Sequence, residues 1–283
     1  MEKGLSNMGN SVLHAEHEVL GATFVEVGDE SLVPESYFGE QPAAELLKGC
    51  ALADLSGYTY RYLSGAAAAQ LVSATSTNWV PLVGECAFSP MLTGDGSLAS
   101  VPLVMRTGDD EFALVDPSPR GEVVEGWLGF VEGIEQNGVK PFGEVTDEPA
   151  QDMLTPLVLA GASARAVLSD YVASADELPQ PGKVVSTKLD RIQVLVAGVP
   201  WGLAEDCFLV LAPTSTARVL WRSFLSFPVV APMGQRGLHE LLARLPFGRR
   251  VLETSRVELG AAEVSSWGLL RSEHSFIGAR GLR

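Results

Sequence analysis

Alternating apolar and polar positions divide the first part of the chain into short strands and helices. An alternation with a period of two predicts strands, because successive strand residues point to opposite faces of a sheet. Strands are predicted on this basis at residues 22–27, 51–56 and 58–63. An alanine-rich segment at 65–74, entered from Ser64, predicts a helix. Residues 31–41 are polar and include Pro34 and Gly39, so we expect a loop there.

A predicted β-hairpin at residues 91–106 lies at the centre of this pattern. Its Gly-Asp-Gly turn contains Gly96, which can adopt the positive φ that tight turns require. The second strand of the hairpin is predicted to run over residues 98–105. Residues 111–116 then return as a further strand.

The order of elements repeats in the second part of the chain. The segment 64–71 follows a predicted strand, and so does the similar segment 160–167. Gly65 and Gly161 each stand where a strand turns closely into a helix, a place that favours glycine. The repetition predicts an internal duplication of a strand–helix–strand–strand–helix unit.

Alternating strands, helices and hairpins predict an α+β fold with largely antiparallel sheets. An acidic, proline-bearing segment at 141–152 predicts the boundary between two halves. We expect residues 1–283 to form a single domain of two intertwined halves, approximately 1–140 and 141–250, with a C-terminal extension at 251–283.

Composition narrows the class of protein. Of the 283 residues, 46% are hydrophobic, enough for a sizeable core. No apolar run reaches the ~18 residues of a membrane helix, and residues 1–19 have no apolar signal-peptide core. We therefore expect a cytoplasmic protein without membrane contact. The net charge of −15 argues against nucleic acid as a partner, since phosphate binding needs clustered Lys and Arg.

The cysteines and histidines do not predict a metal site or a thiol enzyme. Cys50, Cys86 and Cys207 are widely spaced without a C-x-x-C pair, so we expect buried structural thiols. His14 and His17 would share one helix face, but no further ligand stands out nearby.

Several short motifs, in order along nearly the whole chain, resemble those of the glycine cleavage system T-protein family. The family comprises tetrahydrofolate-dependent aminomethyltransferases and related demethylases. The matching segments are 17–22 (HEVLGA), 53–56 (ADLS) followed by 60–65 (YRYLSG), 84–92 (GECAFSPML), 157–168 (LVLAGASARAVL), 194–200 (VLVAGVP), 267–268 (WG) and 276–278 (FIG). The resemblance implies a duplicated folate-binding domain with tetrahydrofolate in a central hole between the halves.

The same motifs imply roles for individual residues. Ser100 occupies the position of the family's catalytic acid, near the reacting carbon. Six residues are implied to bind the cofactor: Phe88, Asp116, Trp201, Glu205, Asp206 and Arg236. Core packing is the alternative role for Phe88 and Trp201, because large aromatic side chains mostly serve burial.

The sequence also departs from the family. Ser100 and Val101 stand where the family has two acids, and a serine hydroxyl is no comparable base. The resemblance implies that the family's C-terminal barrel would begin at about Arg283, so we expect these 283 residues to lack it. Two functions therefore stay open. One is a divergent tetrahydrofolate-dependent transferase of aminomethyl or methyl groups in one-carbon metabolism, acting on folate and a small one-carbon donor. The other is a non-catalytic folate-binding or assembly subunit that works with a partner protein chain.

Overall fold

The computed structural model describes residues 11–27, 31–150, 152–203 and 205–282. Its strands are β1 Ala22–Val27, β2 Ser31–Tyr37, β3 Cys50–Asp54, β4 Thr59–Ser64, β5 Glu85–Phe88, β6 Met91–Leu92, β7 Leu98–Ser100, β8 Leu103–Gly108, β9 Glu111–Asp116, β10 Thr146–Pro149, β11 Leu154–Gly161, β12 Val184–Leu189, β13 Ile192–Gly198, β14 Asp206–Pro213 and β15 Val230–Pro232.

The α-helices connect and cover these strands. They are α1 His14–Val19, α2 Ala43–Leu46, α3 Ala68–Thr75, α4 Gly121–Glu132, α5 Ala164–Ser169, α6 Thr214–Leu225, α7 Gln235–Leu242, α8 Gly248–Val251 and α9 Ala261–Ser266. Among the described residues, no helix combines the length and apolar character needed to cross a membrane.

Two large sheets form the framework. One has five strands in the order β10-β4-β9-β8-β5, and the other has six in the order β12-β13-β14-β11-β3-β15. Neighbouring strands run antiparallel in both sheets, except that β15 pairs with β3 in parallel. The predicted α+β fold with largely antiparallel sheets is therefore confirmed.

Each large sheet contains a strand from a distant part of the sequence. Strand β3 lies between β11 and β15, and Leu52 of β3 stands opposite Leu159 of β11. All five residues of β3 are buried, as expected for a central strand. Strand β10 in turn pairs with β4 at the edge of the five-stranded sheet. The division into halves near residue 140 stays a prediction.

The buried side chains form three clusters that alternate with the sheets. The first lies between the two sheets and includes Ala53 of β3 and Val115 of β9. The second packs the other face of the six-stranded sheet against α5 and α6, with Trp221 fully buried. The third packs the five-stranded sheet against α3 and α4 through Phe112 and Leu128. Both faces of each large sheet are therefore covered by buried side chains.

The two predicted strand-to-helix glycines are required by their backbone geometry. Gly65 has a φ of 108° and Gly161 a φ of 133°, values that residues with a side chain rarely adopt. A Cβ atom on Gly161 would also lie 2.4 Å from the carbonyl oxygen of Gly49. Both positions therefore combine a positive φ with a close approach of the backbone.

Two predictions about strands were wrong. Residues 31–41 were expected to form a loop, but Ser31–Tyr37 forms β2. Pro34 is tolerated in β2 because both strands of a two-stranded sheet are edge strands, where a missing N–H group costs little. The pairing of β1 with β2 also has a register shift between Thr23 and Phe24, opposite this region of β2.

The predicted single strand 98–105 is in fact two strands in different sheets. The chain bends at residues 101–102, where Pro102 fixes φ and lacks an N–H group. Strand β7 pairs with β6, whereas β8 pairs with β5 and β9. The predicted turn is confirmed, with Gly96 at a φ of 85°.

Candidate functional site

A small apolar cavity lies between the two sheets, and its wall includes Phe88 and Trp201, two of the residues that the family resemblance implies to bind folate. Its volume is about 60 Å³. Strands of both sheets contribute Val115, Val158 and Leu209 to its wall, and α7 contributes a row of leucines. Every side chain that lines it is aliphatic, aromatic or, in the single case of Cys207, a buried thiol. The wall therefore offers contacts to hydrocarbon but no amide, carboxylate, guanidinium or hydroxyl group.

Helix α7 fills much of the space with leucine. Leu238, Leu241 and Leu242 follow the i, i+3, i+4 spacing of one helical face, so their side chains turn together toward the cavity. Arg236 lies on the same helix but outside the cavity wall. Its side chain is 65% exposed and reaches Glu35 at 3.5 Å.

Phe88 and Trp201 lie on the wall of the cavity. Phe88 packs edge-on against Phe247, with ring centroids 4.9 Å apart. The indole nitrogen of Trp201 donates a hydrogen bond to the carbonyl oxygen of Glu205 at 2.9 Å. The structure thus brings together the two aromatic residues that the sequence singles out, as parts of an apolar wall.

Glu205 and Asp206 lie outside this wall. The carboxylate of Asp206 accepts two hydrogen bonds from the guanidinium of Arg165, at 2.9 and 3.1 Å. This two-point ion pair joins the start of β14 to α5 and engages both oxygens of the carboxylate. Glu205 contributes its backbone carbonyl to Trp201.

Ser100 and Asp116 belong to a separate buried polar cluster. The Ser100 hydroxyl lies 3.2 Å from the Ser118 hydroxyl, and one oxygen of Asp116 accepts the Ser118 N–H group at 2.9 Å. Ser100 is fully buried and Asp116 is 1% exposed. Val115 lines the cavity, so the alternation of β9 turns Asp116 to the opposite face.

The environment of Asp116 favours its protonated form. Burial raises the pKa of Asp116, against the opposing effect of the Ser100 and Ser118 hydroxyls and of Arg120. Its Oδ2 atom has no hydrogen-bond partner among the residues that the structure describes. The cluster can hold a proton, and its members Ser100 and Asp116 are shielded from solvent.

Arg120 is a buried residue that sequence reasoning missed. Its guanidinium donates hydrogen bonds to the backbone carbonyls of Leu98, Ala99, Glu253 and Ser255, those to Ala99, Glu253 and Ser255 at 2.8 Å. It thereby fixes β7, which carries Ser100, to a segment more than a hundred residues away. Only its place directly before a helix sets this arginine apart in the sequence.

His17 and Asp54 form a second buried pair, and both fall within the motifs that carry the family resemblance. Nε2 of His17 lies 3.0 Å from Oδ2 of Asp54, and Tyr37 contacts the other ring nitrogen at 2.9 Å. Burial opposes ionisation of Asp54, yet the hydrogen bond and charge of His17 outweigh it and lower the pKa of Asp54. The pair anchors α1 to β3.

A larger pocket of about 420 Å³ opens on the surface beside the Asp116 cluster. It is bordered by Ser118 and by Glu26, Glu122 and Glu125. Arg61 forms an ion pair with Glu125 and neutralises part of this charge. The sequence pattern did not indicate this pocket, because its residues come from four separate segments.

Comparison with known proteins identifies the class of this fold. A family model described as GCVT N-terminal domain matches residues 13–261. The chain therefore belongs to the GCVT N-terminal domain family. No curated protein is similar enough to the chain to count as a match.

Two solved structures are similar to the chain. The glycine cleavage system aminomethyltransferase T from Bartonella henselae is 20% identical, with a TM-score of 0.76 over 97% of this chain and 74% of that one. This likeness supports the fold assignment. A heterotetrameric sarcosine oxidase from Corynebacterium sp. U-96 is 19% identical, with a TM-score of 0.44 over 76% of this chain and 92% of that one.

The residues around the cavity do not fit tetrahydrofolate, the cofactor that the resemblance implies. Ligand pockets usually measure about 300–1,000 Å³ and offer a few placed polar groups. This cavity measures about 60 Å³ and has an apolar wall. A pterin ring placed there would lose its hydrogen bonds with water and gain none, at a cost of about 1–3 kcal/mol for each buried polar group.

Proposed function

We propose that this protein is a non-catalytic member of the GCVT family that acts as an assembly subunit with a partner chain. One observation carries the proposal: the space implied to hold folate is a 60 Å³ apolar cavity. Leucines of α7 and Trp201 line that cavity, so a pterin seated there would lack polar contacts. Catalysis on folate requires the cofactor to be seated beside the reacting group.

The burial and bonding of Ser100, the implied catalytic residue, agree with this proposal. Ser100 is fully buried and bonded to Ser118, so it cannot reach a substrate without a rearrangement of β7. Arg120 opposes such a rearrangement because it holds two carbonyls of that strand. The divergent one-carbon transferase is the alternative, and it would require the cavity to open and Asp116 to turn inward.

The three cysteines support a cytoplasmic setting for this subunit. All three are free and buried, and burial raises the pKa of Cys86 to about 12. Such thiols are protonated and unreactive near neutral pH. A protein whose cysteines remain unpaired suits a reducing compartment.

Calorimetric titration with a stable reduced folate, 5-formyltetrahydrofolate, tests the proposal. We expect no binding heat at millimolar folate. A matched variant, Leu241→Ala, enlarges the cavity and shows whether volume alone prevents binding. Saturable binding by the unaltered protein, together with transfer of a methyl or aminomethyl group to folate, would refute the non-catalytic assignment.

A further inference from the structure

Helix α4 presents an apolar face to solvent, which is unusual for an outer helix. Its inward face is formed by Val124, Leu128 and Val131, all fully buried. Beside that face, Val123 is 44% and Phe130 is 64% exposed. An amphipathic helix would normally carry polar residues at these outer positions.

The exposed apolar residues are arranged as a continuous surface. The exposed Val123 and Phe130 and the half-buried Trp127, which packs partly against the core, follow the i, i+4, i+7 spacing of one helical stripe. The rings of Trp127 and Phe130 stack with centroids 5.5 Å apart. Gly126 lies in the same stripe, with open space where a side chain would be. We call these four residues the α4 outer face.

The shape of the α4 outer face suits a second helix. Two stacked aromatic rings provide a rigid anchor of the kind that dominates binding energy at interfaces. Gly126 leaves a gap in which a partner side chain can insert, as in the packing of ridges into grooves. Aromatic residues together with a small residue therefore form a groove for a helix of another chain.

The charges around the α4 outer face define the partner's chemistry. Glu122 lies one turn from Gly126 at the rim of this face, and Glu135 is exposed just after the helix ends. There is no Lys or Arg from residue 121 to residue 139. Glu125 and Glu132 lie on the other flank of α4, where Arg61 pairs with Glu125, so Arg61 does not offset the charge of Glu122. A partner with Lys or Arg beside its apolar stripe would be complementary.

The same charges disfavour other occupants. A second copy of this chain would bring one acidic rim against another, in a protein with a net charge of −15. An anionic lipid surface would be repelled for the same reason.

We propose that the α4 outer face docks a basic amphipathic helix of a partner protein. This inference rests on the proposed function as an assembly subunit and specifies the surface and the partner chemistry. The apolar stripe of the partner covers Trp127 and Phe130, and its Lys or Arg side chains meet Glu122 and Glu135.

Fluorescence anisotropy with two synthetic peptides tests the proposal. Both are labelled amphipathic helices of about five turns with the same leucine stripe, one with a lysine polar face and one with a glutamate polar face. We expect saturable binding of the lysine peptide, weakened by salt, and no binding of the glutamate peptide. Phe130→Asp should weaken binding by about tenfold or more, whereas Val219→Asp on α6, where the valine is 61% exposed, should not.

A charge-reversal variant makes the test specific. The double change Glu122→Lys and Glu135→Lys should exchange the preference, so that the glutamate peptide binds better than the lysine peptide. Circular dichroism establishes that each variant is folded. Equal binding of the lysine peptide to the unaltered protein and to Phe130→Asp would overturn the proposal. So would a dimer in sedimentation that Phe130→Asp dissociates.

The outcomes separate this inference from the proposed function. Folate binding with group transfer, by a protein that also binds the lysine peptide at α4, would refute the non-catalytic assignment and leave the docking surface intact. Absence of both folate binding and Phe130-dependent peptide binding would leave the non-catalytic assignment and remove the docking surface.

Discussion

Replacement of Glu132 by glutamine should stabilise the protein at alkaline pH and have little effect at acidic pH. Glu132 ends helix α4 beside Asp147 of the edge strand β10. Arg61 bonds to Asp147 at 2.5 Å and also pairs with Glu125. One arginine thus faces three carboxyl groups, and Glu132 has one oxygen without a hydrogen-bond partner among the described residues.

Burial and the charge of Asp147 raise the pKa of Glu132 from 4.5 to about 7. Because the folded-state pKa is raised, the folded protein holds this proton more tightly than the unfolded chain does. Stability therefore falls as pH rises from 4.5 to about 7, and the penalty is complete above that range. The full shift corresponds to about 3 kcal/mol. Glu132 is only half-buried, so solvent screening reduces the expected effect to about 1–2 kcal/mol.

Urea unfolding followed by tryptophan fluorescence measures this effect. The free energy of unfolding of Glu132→Gln should exceed that of the unaltered protein by about 1–2 kcal/mol at pH 8.5 and by much less at pH 5. Glu135→Gln, at an exposed position nearby, is the matched control and should show no comparable difference. The reasoning fails if Glu132→Gln shifts stability equally at both pH values or destabilises the protein at pH 8.5.

Three further substitutions test other parts of the fold. Gly161→Ala should cost about 2–4 kcal/mol in urea unfolding, because of its φ of 133° and the nearby Gly49 carbonyl, and Gly126→Ala at an open helical position should not destabilise. Arg120→Met leaves several carbonyls unpaired, so a loss of about 3 kcal/mol and faster hydrogen exchange in β7 are expected; unchanged exchange would contradict this role. Asp54→Asn should cost about 1–3 kcal/mol near neutral pH, because the buried carboxylate accepts hydrogen bonds from Ser11 and Ser56 beside its contact with His17; in thermal unfolding the difference from the unaltered protein should shrink as pH falls below 3.8, and a difference independent of pH would contradict the lowered pKa of Asp54.

The sequence predicted those parts of the fold that depend on local chemistry. Strands 22–27 and 111–116 alternate clearly and lie where the pattern places them. Gly65 and Gly161 were recognisable because only glycine suits their backbone. Strand β2 was missed because Pro34 argues against a strand unless its edge position is known, and pairing partners are not visible in a single sequence.

The candidate site was less predictable because its character depends on residues far apart in the chain. The family motifs singled out Ser100 and Asp116 but not the buried cluster in which the structure brings them together. The wall of the cavity is formed by β9, β14 and α7 together. Whether Leu241 meets a ligand or another leucine depends on how these elements pack. Arg236 illustrates the same limit. It lies on α7 with the leucines that line the cavity, but its own side chain lies outside the cavity and pairs with Glu35.

The position of β3 in the six-stranded sheet has a consequence for folding kinetics. Residues 50–54 must pair with β11, about a hundred residues later, and with β15, which ends at Pro232. Contacts between such distant segments give a high contact order, which slows folding. During synthesis β3 stays an unpaired apolar strand until most of the chain has left the ribosome. A fragment that ends before β11 would leave that strand without its partner, so we expect it to aggregate rather than fold.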